Sequence, residues 1–344
     1  MNPAILYAIA SALLFGMSTP LAKLLTAHTG AVALAALLYL GAGGGLLLWR
    51  GVRGRGGAPL RRSDLPWLGG AIVAGGIVAP ILLLLGLARL AGSSAALLLN
   101  LEPVFTAMIA WFLFREHFDR RILVGMVLIV LGGLALGGSG AGEAGALEGV
   151  AFVTAACLLW AVDNNLTRQV AAADPLQVAG WKGAVAGSTN LLLALLLGSA
   201  FPSPLGMAGA ALVGALGYGL SLMLFVVALR ELGAARTGAY FSLAPFAGAA
   251  ASFLLLGESL SAGFAVGALL MAAGVWLHAT ERHAHEHRHE ALHHDHLHVH
   301  DEHHKHHHEG QVTEPHSHPH DHAPLVHSHP HFPDLHHRHT HEKP

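Results

Sequence analysis

The sequence predicts an all-α integral membrane protein with ten transmembrane helices in two inverted five-helix repeats, followed by a disordered His-rich tail. Three observations support this prediction. Apolar runs of about 20 residues, each long enough to cross a hydrocarbon core as a helix, recur throughout the first 278 residues. One pattern of residues occurs twice, at 103–116 and at 245–258. From residue 279 onward, the composition changes abruptly to one dominated by histidine.

The apolar runs and the polar breaks between them place the helices. Strands are excluded because the strand of a membrane barrel would alternate apolar and polar residues over about ten positions. The predicted helices cover roughly residues 3–23, 30–49, 66–88, 93–114, 121–138, 148–168, 176–198, 206–229, 235–256 and 260–278.

An acidic, Gly-rich linker divides these helices five and five. We therefore predict a first repeat at 1–138, a linker at 139–147, a second repeat at 148–278 and a tail at 279–344. Because a unit of five helices crosses the membrane an odd number of times, the second copy must be inverted relative to the first.

The repeated segment reads PVFTAMIAWFLFRE in the first copy and PFAGAAASFLLLGE in the second. The copies begin at Pro103 and Pro245, end at Glu116 and Glu258, and lie 142 residues apart. Internal duplication in a membrane chain is typical of transporters, which bind solute near the bilayer midplane between their two repeats.

Charge predicts the orientation. The loops on the N-terminal side of the membrane hold eleven basic residues, whereas those on the other side hold Lys23 and Arg89. The positive-inside rule then places both termini, including the tail, in the cytoplasm. The expected location is the plasma or inner membrane of the cell. The eleven residues are Arg50, Arg53, Arg55, Arg61, Arg62, Arg115, Arg120, Arg121, Arg168, Arg230 and Arg236.

The segments LNLEPVFTAMIAWFLFREHF and FSLAPFAGAAASFLLLGESL, with GMVLIVLGG and GALLMAAGVW behind them, resemble the EamA family of the drug/metabolite transporter superfamily over residues 3–278. The resemblance implies ten helices in two inverted repeats around a central cavity. It also implies export of amino acids, metabolites or drugs, or import in some members, coupled in many cases to a proton gradient or to exchange. The His tail is not part of the family pattern.

Glu102 is the first candidate for solute binding or coupling. It lies in the middle of the fourth predicted helix, next to Pro103 and two residues after Asn100. A carboxylate at that depth usually faces a cavity or a partner, and the proline opens a backbone carbonyl. Recognition of a solute amine and proton coupling are both open, as is a purely structural role against a neighbouring helix. The second repeat has Ser242 and Ala244 at the equivalent positions, so this carboxylate is not duplicated.

Helices six and seven supply further candidates. Trp160, Asp163 and Asn164 lie close together in helix six, where Asp163 either faces the cavity or forms a surface ion pair with a neighbouring arginine. Lys182 either extends to the cytoplasmic interface or pairs with Glu102 or Asp163 across the cavity, and we favour the first interpretation. Tyr218, Tyr240 and Ser242 can line the same cavity, although core packing explains them equally well.

Glu116, Glu258 and Pro245 are interpreted as structural. The two glutamates occupy the same position in each repeat, at a helix end. We therefore predict that each fixes the turn between adjacent helices.

The tail holds 25 of the 28 histidines, with 11 acidic and 5 basic residues. It has too few apolar residues to form a core. Imidazole is a ligand for Zn, Ni, Co and Cu, so the tail is a candidate for binding such ions. If helix ten continued past His278, residues 285, 289, 293, 296 and 300 would share one face. The candidate ligands are His285, His289, His293, His296, His300, His303, His306, His316, His318, His320, His327, His329 and His331.

These features favour a secondary transporter of a small organic solute, working outward, with a cytoplasmic metal-binding tail that regulates it. An exporter of divalent metal or of a metal chelate is one alternative, and a non-transporting membrane store or sensor of metal is another. No nucleotide-binding loop or catalytic pair stands out in the membrane helices, so we predict no enzyme activity and no required cofactor. The expected partners are lipid, the solute and divalent metal ions, but not nucleic acid. A homodimer is compatible with this interpretation.

Reporter fusions test the predicted topology. Because basic residues are concentrated on one side, a reporter fused after Arg55 and another at the C-terminus should both report a cytoplasmic location. A periplasmic signal from either fusion would contradict the orientation.

Overall fold

The computed structural model describes residues 3–53, 60–114, 120–139, 145–170, 173–280, 284–289, 292–298, 316–322 and 325–330. Up to residue 280, the regular elements that it describes are helices. The α-helices are α1 (Pro3–Thr26), α2 (Ala31–Arg53), α3 (Leu65–Ala71), α4 (Ala79–Leu87), α5 (Gly92–Leu98), α6 (Leu101–Phe114), α7 (Arg120–Ser139), α8 (Ala146–Arg168), α9 (Pro175–Leu196), α10 (Pro204–Val213), α11 (Ser221–Phe241), α12 (Ala244–Leu256) and α13 (Ala262–Ala279).

Six helical stretches of the described residues are long and apolar enough to cross a membrane. Large apolar side chains point outward from the bundle, and Leu205, Leu254 and Trp276 leave 84%, 85% and 60% of their surface exposed. Such a surface suits lipid rather than water, so the chain is a multi-pass membrane protein. The six stretches are Pro3–Thr26, Ala31–Val52, Arg62–Leu87, Gly92–Ile109, Ala146–Thr167 and Pro204–Ala228.

Several helix ends follow directly from the local sequence. Asp174 begins α9 by accepting a hydrogen bond from the Leu176 N–H, with Pro175 in the first turn. Gly257 ends α12 with a φ of 64°, a left-handed conformation that glycine adopts without strain.

Two π-helical segments interrupt predicted helices. Ile72–Val78 joins α3 to α4, and Gly214–Leu220 joins α10 to α11. Each covers 7 residues, and they begin 142 residues apart, so the repeat in the sequence extends to this irregular feature. The apolar pattern predicts uninterrupted helices here, because a π turn leaves that pattern unchanged.

The chain reverses direction within α11. The rings of Phe225 and Phe241 lie 5.0 Å apart, centre to centre. A straight helix would separate these two positions by about 24 Å, at 1.5 Å per residue. This element therefore contains the turn that the sequence predicts between residues 229 and 235.

Close glycine contacts join helices of the two halves. The helix α2 packs on α9, α7 packs on α13, and α1 packs on both α11 and α12. A Cβ added to Gly43 would lie 2.3 Å from the Ala184 nitrogen, and one added to Gly132 would lie 2.8 Å from the Gly267 oxygen. Because backbone atoms cannot move aside as a flexible side chain can, both positions require glycine.

The described parts of the tail form four short strands, which corrects the prediction of a disordered tail. The strands are β1 (Ala284–His289), β2 (Leu292–His298), β3 (His316–His322) and β4 (Leu325–Pro330). Antiparallel pairing joins β1 to β4 and β2 to β3. The shared helical face of histidines required helix ten to continue past His278. Since α13 ends at Ala279 and strands follow, that condition is not met.

The alternation of histidine with other residues explains this difference. In β1 and in the second half of β2, histidine occurs at every second position, which is the period of a strand rather than of a helix. Of the candidate ligands, His285, His289, His293, His296, His316, His318, His320, His327 and His329 lie in strands, and His300, His303, His306 and His331 lie outside the described residues.

Candidate solute-binding cavity

A cavity of about 580 Å³ lies inside the helical bundle. Aromatic rings form much of its wall, with Phe15 packed edge-on against Tyr218 at a centroid distance of 5.7 Å and Tyr39 6.1 Å from Tyr218. The polar side chains on the wall are Asn164, Thr167, Lys182 and Ser221. The volume and the lining both suit a small organic molecule.

The cavity lies toward the end of the bundle that carries the connection between α8 and α9. Residues from the last turns of α8, this connection and the first turns of α9 contribute to its wall. The opposite end of α8 packs against the turn between α4 and α5, where a Cβ on Gly149 would lie 2.7 Å from Leu90 Cγ. The two ends of the bundle therefore differ in structure.

Asp163 and Lys182 form a buried ion pair, of which Lys182 lines the cavity. The Lys182 ammonium donates to both carboxylate oxygens, and the Thr167 hydroxyl donates to Oδ1 at 2.9 Å. The side chain of Asp163 is 5% exposed and that of Lys182 is 19% exposed, so the cation is the partner that meets the cavity. The favoured prediction, that Lys182 extends to the interface, is wrong because its ammonium is held inside by this carboxylate.

The carboxylate of Asp163 occupies space that only a glycine leaves open. A Cβ on Gly75, within the first π-helical segment, would lie 1.9 Å from Asp163 Oδ2. The Gly75 carbonyl accepts hydrogen bonds from the Tyr39 hydroxyl at 2.8 Å and from Trp160 Nε1 at 2.9 Å. Trp160 therefore supports the π-helical segment and is not on the cavity wall, contrary to its prediction as a lining residue.

Glu102 is connected to the cavity through Asn164. Its Oε1 accepts a hydrogen bond from Asn164 Nδ2 at 2.7 Å, and the same amide lies 3.4 Å from Thr106 Oγ1. Since Pro103 has no N–H, the Leu99 carbonyl accepts instead from the Glu102 N–H at 3.1 Å. The proline thus produces the turn that separates α5 from α6 and sets Glu102 at the start of α6.

Other predicted lining residues lie elsewhere. Asn100 is 3% exposed and donates to the Leu97 carbonyl at 2.9 Å and to Met271 Sδ at 3.9 Å, so it faces α13 rather than the cavity. A buried amide in an apolar surrounding turns to the nearest acceptor, here one created by the turn before Pro103. Pro103, Tyr240 and Ser242 are not among the residues that line the cavity.

Glu258 contacts the other half of the chain. Its carboxylate accepts hydrogen bonds from the backbone N–H groups of Gly92 at 2.5 Å and Ser93 at 2.9 Å. Glu258 therefore caps α5 and holds the turn between α4 and α5, which belongs to the other half of the chain. Glu116 lies outside the described residues, and Pro245 lies in the first turn of α12.

Sequence reasoning missed much of the cavity wall. Phe15, Phe225 and Phe241 line it, but phenylalanine in so apolar a chain carries no positional signal. Tyr39 could have been found, because the chain has only 4 tyrosines and this one is predicted inside a membrane helix. Among the residues whose side chains the structure describes, no group of three His, Cys, Asp or Glu is arranged to hold a metal ion.

A multi-pass helical bundle with a charged, partly aromatic internal cavity has the architecture of a membrane transporter. The EamA-like transporter family matches residues 2–137 and 147–280, which covers both halves. The chain belongs to the EamA-like transporter family, and the resemblance noted in the sequence is confirmed.

Two relatives and one solved structure support this assignment. The chain is 30% identical over 287 residues, 78% of its length and 84% of the relative, to a protein named uncharacterized transporter from Methanothermobacter thermautotrophicus. Over 84 residues, 24% of this chain and 70% of the relative, it is 43% identical to a probable 4-amino-4-deoxy-L-arabinose-phosphoundecaprenol flippase subunit, ArnE, from Pseudomonas paraeruginosa. A crystal structure with 20% identity matches at a TM-score of 0.59, covering 81% of this chain and 97% of the other, which shows a shared fold.

Replacing Gly75 with alanine should destabilise the protein. The added Cβ would lie 1.9 Å from Asp163 Oδ2 and would separate the carboxylate from Lys182. Breaking a buried ion pair on one side costs about 3–5 kcal/mol. The melting temperature of purified Gly75→Ala in detergent should therefore fall, and one equal to that of the parent would contradict this packing. Gly69→Ala is the matched control, since a Cβ there meets nothing within 4 Å.

Proposed function

We propose that this transporter is a secondary carrier that moves a small organic solute outward across the membrane through the cavity described above. The observation that supports this most directly is the aromatic cavity, whose wall includes Lys182, held from behind by the buried carboxylate of Asp163. A protein that merely anchored a tail to the membrane would not need to bury two charges inside its bundle.

Ten membrane-crossing helices in two inverted repeats provide the framework for alternating access. Both halves contain a π-helical segment at the same position of the repeat. The helix contacts also have a two-fold pattern: α1 packs on α11 and α12, as α8 packs on α4 and α6. Likewise α2 packs on its counterpart α9, and α7 on α13. A two-fold axis in the membrane plane produces such pairs.

The solute has an apolar or aromatic body and a polar group that binds beside Lys182. The rings of Phe15, Tyr39 and Tyr218 offer flat apolar surfaces, and the ammonium and the Asn164 amide offer polar contacts. A volume of about 580 Å³ lies within the ~300–1,000 Å³ of small-molecule sites. A bare divalent cation is disfavoured, because it would need several oxygen or nitrogen ligands and the described wall is mostly apolar.

Glu102 is the coupling carboxylate in this proposal. It lies inside a membrane-spanning stretch, and Asn164 connects it to the cavity wall. A carboxylate in that position can bind a proton or a solute amine in exchange for the amide contact. Because Ala244 stands at the equivalent position of the second half, Glu102 is not part of the duplicated scaffold.

The tail acts as a metal-responsive regulator on the cytoplasmic side of the plasma or inner membrane. Strand pairing places histidine opposite histidine at five positions, and residues directly opposite in an antiparallel pair are close neighbours. Zn, Ni, Co and Cu all accept imidazole ligands. The pairs are His285–His329, His287–His327, His294–His320, His296–His318 and His298–His316.

Metabolite profiles identify the solute and test the proposal. Cells that express the protein should hold less of one or a few small organic metabolites than cells that lack it, and those metabolites should be enriched in the medium. Identical profiles would contradict an export function. A change confined to the cellular content of nickel, cobalt, zinc or copper would instead favour export of metal.

Glu102→Gln should slow transport of the solute so identified while leaving the protein folded in the membrane. The amide keeps the shape of the side chain but cannot hold a negative charge. Transport into proteoliposomes should fall by about 10²-fold, a size typical for the loss of a group that acts in proton transfer. Glu148→Gln is the control, because Glu148 forms an exposed ion pair with Arg89 away from the cavity. Unaltered transport by Glu102→Gln at every pH would show that the charge is dispensable.

The full chain should bind several divalent ions at neutral pH, and binding should weaken below about pH 6.5 because protonated imidazole cannot be a ligand.

Deleting residues 282–344 should leave basal transport intact and remove its response to metal. Efflux is compared between the full and truncated chains in metal-replete and chelated cells. Equal metal dependence in both chains would contradict regulation by the tail.

A further inference from the structure

The turn between α4 and α5 is held by a charged side chain at each end. On one side, the Lys23 ammonium donates to the Leu87 carbonyl at 2.7 Å and to the Leu90 carbonyl at 2.5 Å. Leu87 is the last residue of α4, where a helix has no hydrogen-bond donors of its own to offer, and Leu90 lies in the turn that follows. A positive charge there also complements the negative end of the helix dipole.

Glu258 binds the other side of the same turn. Its two carboxylate oxygens accept hydrogen bonds from the first N–H groups of α5, at Gly92 and Ser93. The fit is close, since a Cβ on Gly92 would lie 2.9 Å from Ser252 Oγ and 3.3 Å from Glu258 Oε1. Opposite charges thus meet opposite helix ends: the ammonium binds carbonyls after α4, and the carboxylate binds N–H groups of α5.

These contacts bring together distant parts of the chain. Lys23 comes from α1, the turn belongs to the first half, and Glu258 follows α12 in the second half, 166 positions from Gly92. A turn of a few residues is normally closed by its neighbours in sequence. Here the Arg89 and Leu90 N–H groups also donate to the Gly86 carbonyl, both at 2.9 Å, but two distant elements bind the ends of the turn as well, so separating α12 from α5 would release one of those ends.

The contacts lie at the end of the bundle opposite the cavity. The turn packs against Gly149 near the beginning of α8, whereas Asn164 and Thr167 near the end of α8 line the cavity. In this structure the cavity therefore lies toward one end of the bundle, and the charged contacts join α1, α5 and the segment after α12 at the other.

We propose that Lys23 and Glu258 form a latch that closes the exit of the transport path, and that solute leaves only when the latch opens. This inference rests on the proposed transport function and names the residues that control the release of the solute. When the latch opens, the carboxylate and the ammonium exchange their backbone partners for water at the membrane surface. The turn then moves away from α12, and the cavity gains access to the side that it does not face in this structure.

Side-specific labelling of a single thiol in the cavity tests the latch without requiring the solute to be known. Cys157→Ala removes the native thiol, and Ala179→Cys places a new one on the cavity wall. A membrane-impermeant maleimide is applied to proteoliposomes of either orientation. With the latch intact, the introduced thiol should react from the end that carries the α8–α9 connection and only slowly from the latch end.

Glu258→Gln and Lys23→Met, each in this background, should increase the rate of labelling from the latch end. The expected increase is roughly twofold to thirtyfold, the range that corresponds to the loss of one side-chain helix cap. Glu148→Gln, which alters an exposed carboxylate at the same end, should leave the rate unchanged. Unchanged labelling from the latch end in folded Glu258→Gln and Lys23→Met would overturn the proposal.

A reversible crosslink distinguishes opening of the latch from unfolding of the bundle in a variant. Ser93→Cys and Glu258→Cys, added to the Lys23→Met protein, replace the latch contact with a pair of thiols. Oxidation should lower labelling of the cavity thiol from the latch end to the level of the intact latch, and reduction should restore it. Equal labelling in the oxidised and reduced states would show that this contact does not control access. Because neither readout involves transport, the latch and the transport function can fail independently.

Discussion

Inside a membrane there is no water to hydrogen-bond a polar group, so each polar group needs a partner within the protein. The arrangement of the cavity in this protein follows from that constraint. The Asp163 carboxylate receives hydrogen bonds from Lys182 and Thr167, and the Gly75 carbonyl receives them from Tyr39 and Trp160. Both sets depend on the π-helical segment, which displaces a carbonyl and, at a glycine, leaves room for the carboxylate. An ordinary helix with a larger residue here would keep the membrane span but lose the position of the cation.

The ion pair determines what the cavity offers to a solute. Held by Asp163 from behind, Lys182 presents an ammonium to an apolar, aromatic space instead of extending to the lipid interface. A solute group that approaches this ammonium competes with the Asp163 carboxylate for its hydrogen bonds. A weak hydrogen-bond acceptor therefore gains little binding free energy. If a solute binds here, as proposed above, its selectivity depends on the aromatic walls as much as on charge, because the rings would contact the body of the solute.

The sequence predicted an all-helical membrane protein because a span of the membrane is determined by the length of an apolar run, which is local information. It identified Glu102, Asp163 and Lys182 because charge is rare in such a background, but it could not pair them. Asp163 and Lys182 lie on different helices, and their contact depends on how α8 and α9 pack. The partner of Glu258 was missed for the same reason, since the contact crosses from one repeat to the other. The π-helical segments leave no trace in hydrophobic periodicity, and in the tail the alternation of histidine was the overlooked signal.

Duplication and chemistry are distributed differently along this chain. The repeat preserves features of the scaffold, such as Pro103 with Pro245, the π-helical segments and the helix pairs. It does not preserve the charges in the cavity: Leu21 stands at the position equivalent to Asp163, and Leu40 at that of Lys182. Two similar halves can exchange conformations at little cost in free energy. Each half then takes the conformation that the other half had before, so the total free energy changes little. In the function proposed above, the duplicated scaffold accounts for movement, and the unduplicated Lys182, held by Asp163, offers the solute the same group in both states.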